Sequence, residues 1–144
     1  GWSGASGIPH HRRDFDAIGA EAFVPPNKTS STGLFTLQEW ALGDVGLEAS
    51  ARLDRTSIRS REVGFDRDFS AFSLAGGASY HCSPTTKVGI NLSRTERAPA
   101  AEELLSDGPH IATQAFEIGD PNLKKEKSVG VEAYVRLDRA AYRL

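Results

Sequence analysis

Alternation with period two governs most of the chain. In "SVGVEAYVRLD", residues 128–138, Val129, Val131, Ala133, Val135 and Leu137 fall on one side, and Gly130, Glu132, Tyr134, Arg136 and Asp138 on the other. Such strict alternation marks a strand with a single apolar face. "LEASARLD" repeats it, with Leu47, Ala49, Ala51 and Leu53 against Glu48, Ser50, Arg52 and Asp54. "KVGINLSR" sets Val88, Ile90 and Leu92 against Lys87, Gly89, Asn91 and Ser93. In "FSAFSLAGGASYH" the greasier set is Phe72, Leu74, Gly76, Ala78 and Tyr80. "STGLFTLQEWAL", residues 31–42, predicts a further strand whose faces differ less. Another is expected near Ala5–Arg13, weakened by Pro9 inside it. The pattern predicts an all-β, antiparallel up-and-down meander of about six strands.

The connections come in two lengths. "GDVG" at 43–46 and "SPTT" at 83–86 are tight-turn sequences, whereas the segments around 14–30, 59–68 and 95–127 are longer and polar. In a meander, that order puts every short turn at one end and every long loop at the other. Two architectures use such strands. A soluble β-rich ligand-binding domain turns its apolar faces inward; a membrane barrel turns them to lipid around a polar lumen. The asymmetry of the loops favours the barrel. Trp40 before the first turn and Tyr80 before the second suit an interfacial aromatic girdle.

Composition narrows the partners. No run approaches the ~18 apolar residues of a spanning helix, but a spanning strand needs only about 9–11 residues with alternate ones apolar. A net charge of −2 provides no basic field, and "PHHRR" is followed by Asp14 and Asp16, so nucleic acid is not an expected partner. The single cysteine, Cys82, excludes an intramolecular disulfide and a four-cysteine zinc site. The opening residues lack the pattern of a signal peptide, so the chain is expected to be mature, truncated or internal to a longer one. Glu102 and Glu103 are adjacent and point apart, and there is no G-x-S-x-G, P-loop or dinucleotide fingerprint. No enzyme activity and no cofactor are expected.

One stretch departs from the strand pattern: "SRTERAPAAEELL", residues 93–105, where Ala, Glu and Leu cluster as in helices. Arg97, Ala98 and Pro99, then Glu103 and Leu104, and further on Gly119, Asp120, Pro121, Asn122, Leu123 and Glu126 resemble the barrel region of TonB-dependent outer-membrane receptors. "GPHIAT", "FEIG" and "GAEAFVPPNKT" (residues 19–29) are similar to the branch that includes zinc-responsive receptors. The resemblance runs from about residue 15 to about 138. It implies a plugged barrel of about 22 strands in the bacterial outer membrane, bordered by lipid. It also implies import of a metal ion, a metal chelate such as a siderophore, or haem, with zinc slightly favoured, energised by TonB through the plug. Nothing between residues 1 and 144 resembles a plug, a TonB box or the terminal aromatic of such barrels, so the chain is expected to be a partial barrel domain, from the middle or later strands.

Within that frame Arg97 to Pro99 are expected to stop a strand. Glu102 to Leu105 would form a helical turn, and Gly119 to Asn122 would steer the chain back into the sheet. Arg94 and Arg97 with Glu96, Glu102 and Glu103 are expected to form an anchoring charge network. His10, His11 and His110, with Glu21, Asp107 and Glu117, supply nitrogen and oxygen donors suited to a borderline metal such as zinc. Their spacing matches no compact metal motif, so the loops would have to gather them; solvated loop histidines are the plainer alternative. His81 lies on the polar face near the second tight turn, where it would contact the plug or water.

Overall fold

The computed structural model describes residues 1–19, 22–110 and 114–138. Strands β1 (Trp2–Gly7) and β2 (His10–Phe15) share one edge of β3 (Asn27–Leu42); β4 (Val45–Ser60), β5 (Phe65–Ser83), β6 (Thr86–Arg97) and β9 (Glu126–Leu137) follow in order, all antiparallel. Between β6 and β9 lie a short helix, α1 (Ala101–Leu105), and a separate hairpin of β7 (Asp107–His110) and β8 (Ala115–Ile118). The all-β meander is as the alternation predicts. β6 ends at Arg97, and the helical turn begins at Ala101, one residue before its expected start.

Two expectations change. The strand near Ala5–Arg13 is two strands, interrupted at Ile8 and Pro9. Proline lacks the ladder N–H, yet the register does not slip, since Gly7 faces Phe35 and His10 faces Thr32. Pro9 still accepts a bond from Gly33 N–H at 2.9 Å, and Gly33 leaves room for the ring: a Cβ there would lie 3.3 Å from Pro9 Cγ. The second correction concerns residues 59–68. They are not a long loop but the top of a hairpin, closed by a turn over Arg61–Gly64 in which Gly64 takes φ +64°. Its polarity comes from cross-strand ion pairing: Arg59 meets Asp66 at 3.0 Å, and Arg55 reaches Asp68 at 3.3 Å.

The two faces of the sheet differ in kind. On the outer face β4 presents Val45, Leu47, Ala49, Ala51 and Leu53, then changes to Arg55, Ser57 and Arg59. The register brings β5 alongside with Tyr80, Ala78, Gly76, Leu74 and Phe72, then Ser70, Asp68 and Asp66. Apolar gives way to charged at the same level on both strands. Val45 to Leu53 is also about the 9–11 residues a tilted membrane strand needs. Trp2, Trp40 and Tyr80 stand near the end that carries the tight turns. Nothing covers this face among the described residues: Val129 is 77 % exposed and Val131 71 %. A soluble domain with its apolar faces inward would bury them, so the apolar-inward arrangement is not the one found.

Burial is concentrated on the opposite, inner face, at the end away from the tight turns. There Ile58 of β4 and Phe69 of β5 pack with Ala101 and Leu104 of α1, flanked by Phe65, Ala98 and Leu105.

Candidate functional site

The segment between β6 and β9 folds inward over that inner face. Arg97, the last residue of β6, donates to both carboxylate oxygens of Glu103 at 2.9 Å and approaches Glu126, the first residue of β9, at 2.6 Å. Glu103 also accepts the Ala100 N–H at 2.7 Å, which satisfies one free donor at the start of α1. Leu104 is then driven into the core beneath it.

The second half of the motif docks onto the first. Gly119 N–H bonds to Ser106 O and Asp120 N–H to Glu103 O, at 2.7 and 2.9 Å. Gly119 has to be glycine, because a Cβ there would sit 2.7 Å from the backbone of Leu104 and Leu105. Asp120 Oδ1 accepts the Asn122 N–H at 2.8 Å in a tight local turn. Pro121 and Leu123 offer their carbonyls to Arg67 of β5.

The expected charge network separates into three. Arg97, Glu103 and Glu126 form the inner one. Glu102 instead pairs with Arg13 of β2, a partner the sequence did not suggest. Arg94 lies on the outer face with Glu96, at 2.7 Å.

The proposed donor set is not assembled into one site. His10 and His11 are neighbours in a strand and so point to opposite faces; His10 bonds Thr32 Oγ1 across the ladder. Asp107 opens β7, with its N–H on Phe23 O. Glu21 lies outside the described residues. Among the described members of the set, His110 and Glu117 meet, at 2.6 Å, with Phe23 stacked on the imidazole at 4.7 Å. Among the described residues no three His, Cys, Asp or Glu side chains are placed to hold a metal. His81 sits opposite Lys87 on the inner face.

A further constellation becomes visible only through the register. Ser3 faces Glu39, Glu39 faces Glu48, Glu48 faces Gly77, Gly77 faces Asn91, and Asn91 faces Glu132. Three carboxylates thus share one level of the inner face. The neighbouring level on the loop side, Ala5, Leu37, Ser50, Ala75, Ser93 and Gly130, carries no charge. Ser3 and Asn91 donate to Glu39 and Glu132, at 3.2 and 3.1 Å.

An apolar outer face, a polar inner face and a folded loop over one mouth are the parts of a transport barrel wall. A family model described as TonB dependent receptor-like, beta-barrel, matches residues 3–144. The chain belongs to this family. TonB-dependent receptors are transporters of the bacterial outer membrane that import nutrients. Barrels of this kind turn an apolar face to lipid and a polar face to the lumen.

Glu103 makes the anchoring of the receptor's loop sensitive to acid. The Arg97 guanidinium and the Ala100 N–H hold its carboxyl at about 2, below the ordinary 4.5. A lowered folded-state value stabilises the loop above the unfolded value, and this contribution is lost as pH falls from about 4.5 towards about 2. Glu103 is partly exposed, so solvent screening keeps the effect small. The protection of the Asp120 N–H against hydrogen exchange, relative to its intrinsic rate at each pH, is expected to fall over that range, and Glu103→Gln to remove this component. An unchanged acid profile in the variant would count against the assignment.

Proposed function

We propose that these strands form part of the wall of a larger receptor barrel, whose lumen holds a plug and whose loops capture a small metal-containing cargo for TonB-energised import. The observation that carries the reading is the bare apolar outer face, which requires lipid, backed by an inner face that is mostly polar below the apolar cluster under α1. Among the described residues the outer edges of β2 and β9 have no strand partner, leaving backbone donors and acceptors that lipid cannot satisfy, which supports closure by further strands. The row of Glu39, Glu48 and Glu132 suits a basic surface of a plug.

Zinc is the cargo we favour. His110 and Glu117 bring a nitrogen and an oxygen donor together on the loop hairpin, a combination suited to a borderline metal. The test is zinc uptake by cells carrying the full-length receptor. Uptake is expected to stop when the energy supply to TonB is removed. With His110→Ala and Glu117→Gln combined it is expected to fall about tenfold, at equal receptor levels in the membrane. Undiminished zinc uptake in the double variant would remove zinc from the reading; uptake indifferent to the energy supply would remove TonB.

A further inference from the structure

A groove of about 600 Å³ runs along the outer face where β5, β6 and β9 meet. Small residues create it: Gly76 and Ala78 sink between Leu74, Ile90, Leu92 and Val131. A Cβ built on Gly76 meets only the Glu48 carbonyl oxygen, at an ordinary 3.6 Å, so the space is open rather than filled by a neighbour.

The groove ends at Arg94, which shares its level with Leu74 and Ala51, so on β6 charge begins two rows nearer the tight turns than on β4. Just beyond it, Arg94, Lys125 and Lys127 converge on Glu96, at 2.7, 2.6 and 3.8 Å. Glu96 is sunk beneath them: its side chain is 4 % exposed, against 44 % for Arg94 and 62 % for Lys127. Its carboxylate also accepts the Phe72 N–H at 3.1 Å, replacing a ladder bond where β6 parts from β5. The carboxylate is thus occupied inward, and the positive charge faces out.

The rest of the charged collar is nearly balanced. Around β2 to β5 four cations (Arg12, Lys28, Arg55, Arg59) face three carboxylates (Asp14, Asp66, Asp68), whereas here three cations share one. The surplus of positive charge sits at the head of an apolar groove. That pairing fits a molecule with a hydrocarbon chain and an anionic head.

We propose that this groove and cluster bind a phosphate-headed lipid of the surrounding membrane, its acyl chain along Gly76 and Ala78 and its phosphate on Arg94 and Lys127. The site rests on the outer face lying in lipid, and is otherwise independent of cargo, plug and TonB.

The test is native mass spectrometry of the detergent-purified full-length receptor with three probes: diphosphoryl lipid A, the same lipid without its phosphates, and inorganic phosphate. The phosphorylated lipid is expected to be retained about tenfold better than the dephosphorylated one, with no adduct from phosphate alone. Arg94→Ala with Lys127→Ala is expected to abolish the preference. Gly76→Leu, which fills the groove, is expected to weaken retention of both lipids. Lys127→Glu changes only an exposed side chain, so it reads the head site in a folded receptor even if the double variant fails to assemble. Equal retention of the two lipids, indifference to Lys127→Glu, or binding of phosphate as strong as that of the lipid would each overturn the site. A fluorophore at Val135, quenched by lipid-borne quenchers, checks the premise separately. Quenching without lipid discrimination defeats this proposal alone; absence of quenching defeats the membrane placement itself.

Discussion

Leu104→Ala is expected to release the loop over the lumen while leaving the sheet intact. Leu104 is 1 % exposed and packs with Ile58, which is fully buried, and with Phe69 and Ala101. Truncating a side chain in such a site costs about 2–5 kcal/mol. Strand pairing is little affected, because the cluster lies on top of the sheet and β4 and β5 remain held by their ladder. The cost therefore falls on the loop. Its reporters are the Asp107, Gly119 and Asp120 N–H groups, bonded to Phe23, Ser106 and Glu103. Their hydrogen exchange in the full-length receptor is expected to accelerate on the order of a hundredfold, the factor for about 2.7 kcal/mol. Leu53→Ala, on the outer face, is expected to leave those three rates alone. Unchanged rates in Leu104→Ala would mean that the loop is held by its ion pairs rather than by this core.

The second large effect separates membrane from water. Val131 shares its level with Leu92, Gly76 and Ala49, the third of the five rows that are apolar on β4 and β5. An arginine there would sit near the bilayer midplane, at a cost of about 2–4 kcal/mol. Ser57→Arg places the same charge on the same face but in the collar, next to Asp68, which Ser57 already contacts at 2.6 Å. Near the interface the cost falls to about 0–1 kcal/mol. Unfolding of both variants in bilayers is the measurement. On a water-facing surface Val131→Arg would change stability by no more than about 0.5 kcal/mol, and that result would sink the membrane assignment.

Much of this was legible in the residues. Alternation located the long strands, and Gly43–Asp44 and Pro84–Thr85 marked the tight turns. The motif around Arg97 and Gly119 carried the family. What stayed hidden was whatever depends on pairing. Arg59, Asp66 and Asp68 read as a polar loop because each charge is counted alone; opposite one another, and with Arg55, they zip a hairpin. Glu39, Glu48 and Glu132 each look like an ordinary polar position until the register sets them on one level. β3 looked ambiguous because Phe35 and Leu37 lie on the inner face while Leu34 and Trp40 lie on the outer; Phe35 covers the bare backbone of Gly7, its ring 2.9 Å from where a Cβ would stand. Within the histidine set, His10 and His11 are divided by a rule available from the start, since adjacent residues of one strand cannot share a face.

The docking of the motif's two halves also bears on how the chain finds its fold. Each pairing from β3 to β6 joins strands that a short turn already holds together, but β9 must find β6 across residues 98 to 125. Closing a longer loop costs little, about 0.6 kcal/mol per doubling; choosing the right rung is the harder problem. A slip of one residue would turn Val129, Val131 and Val135 into the lumen and Glu132 into lipid. Arg97 and Glu126 are the first rung of that ladder. Arg97 also grips Glu103, and Gly119 is pressed against the turn after Leu104, so the folded loop holds Glu126 opposite Arg97. In this receptor the loop sets the frame in which the next strand is read.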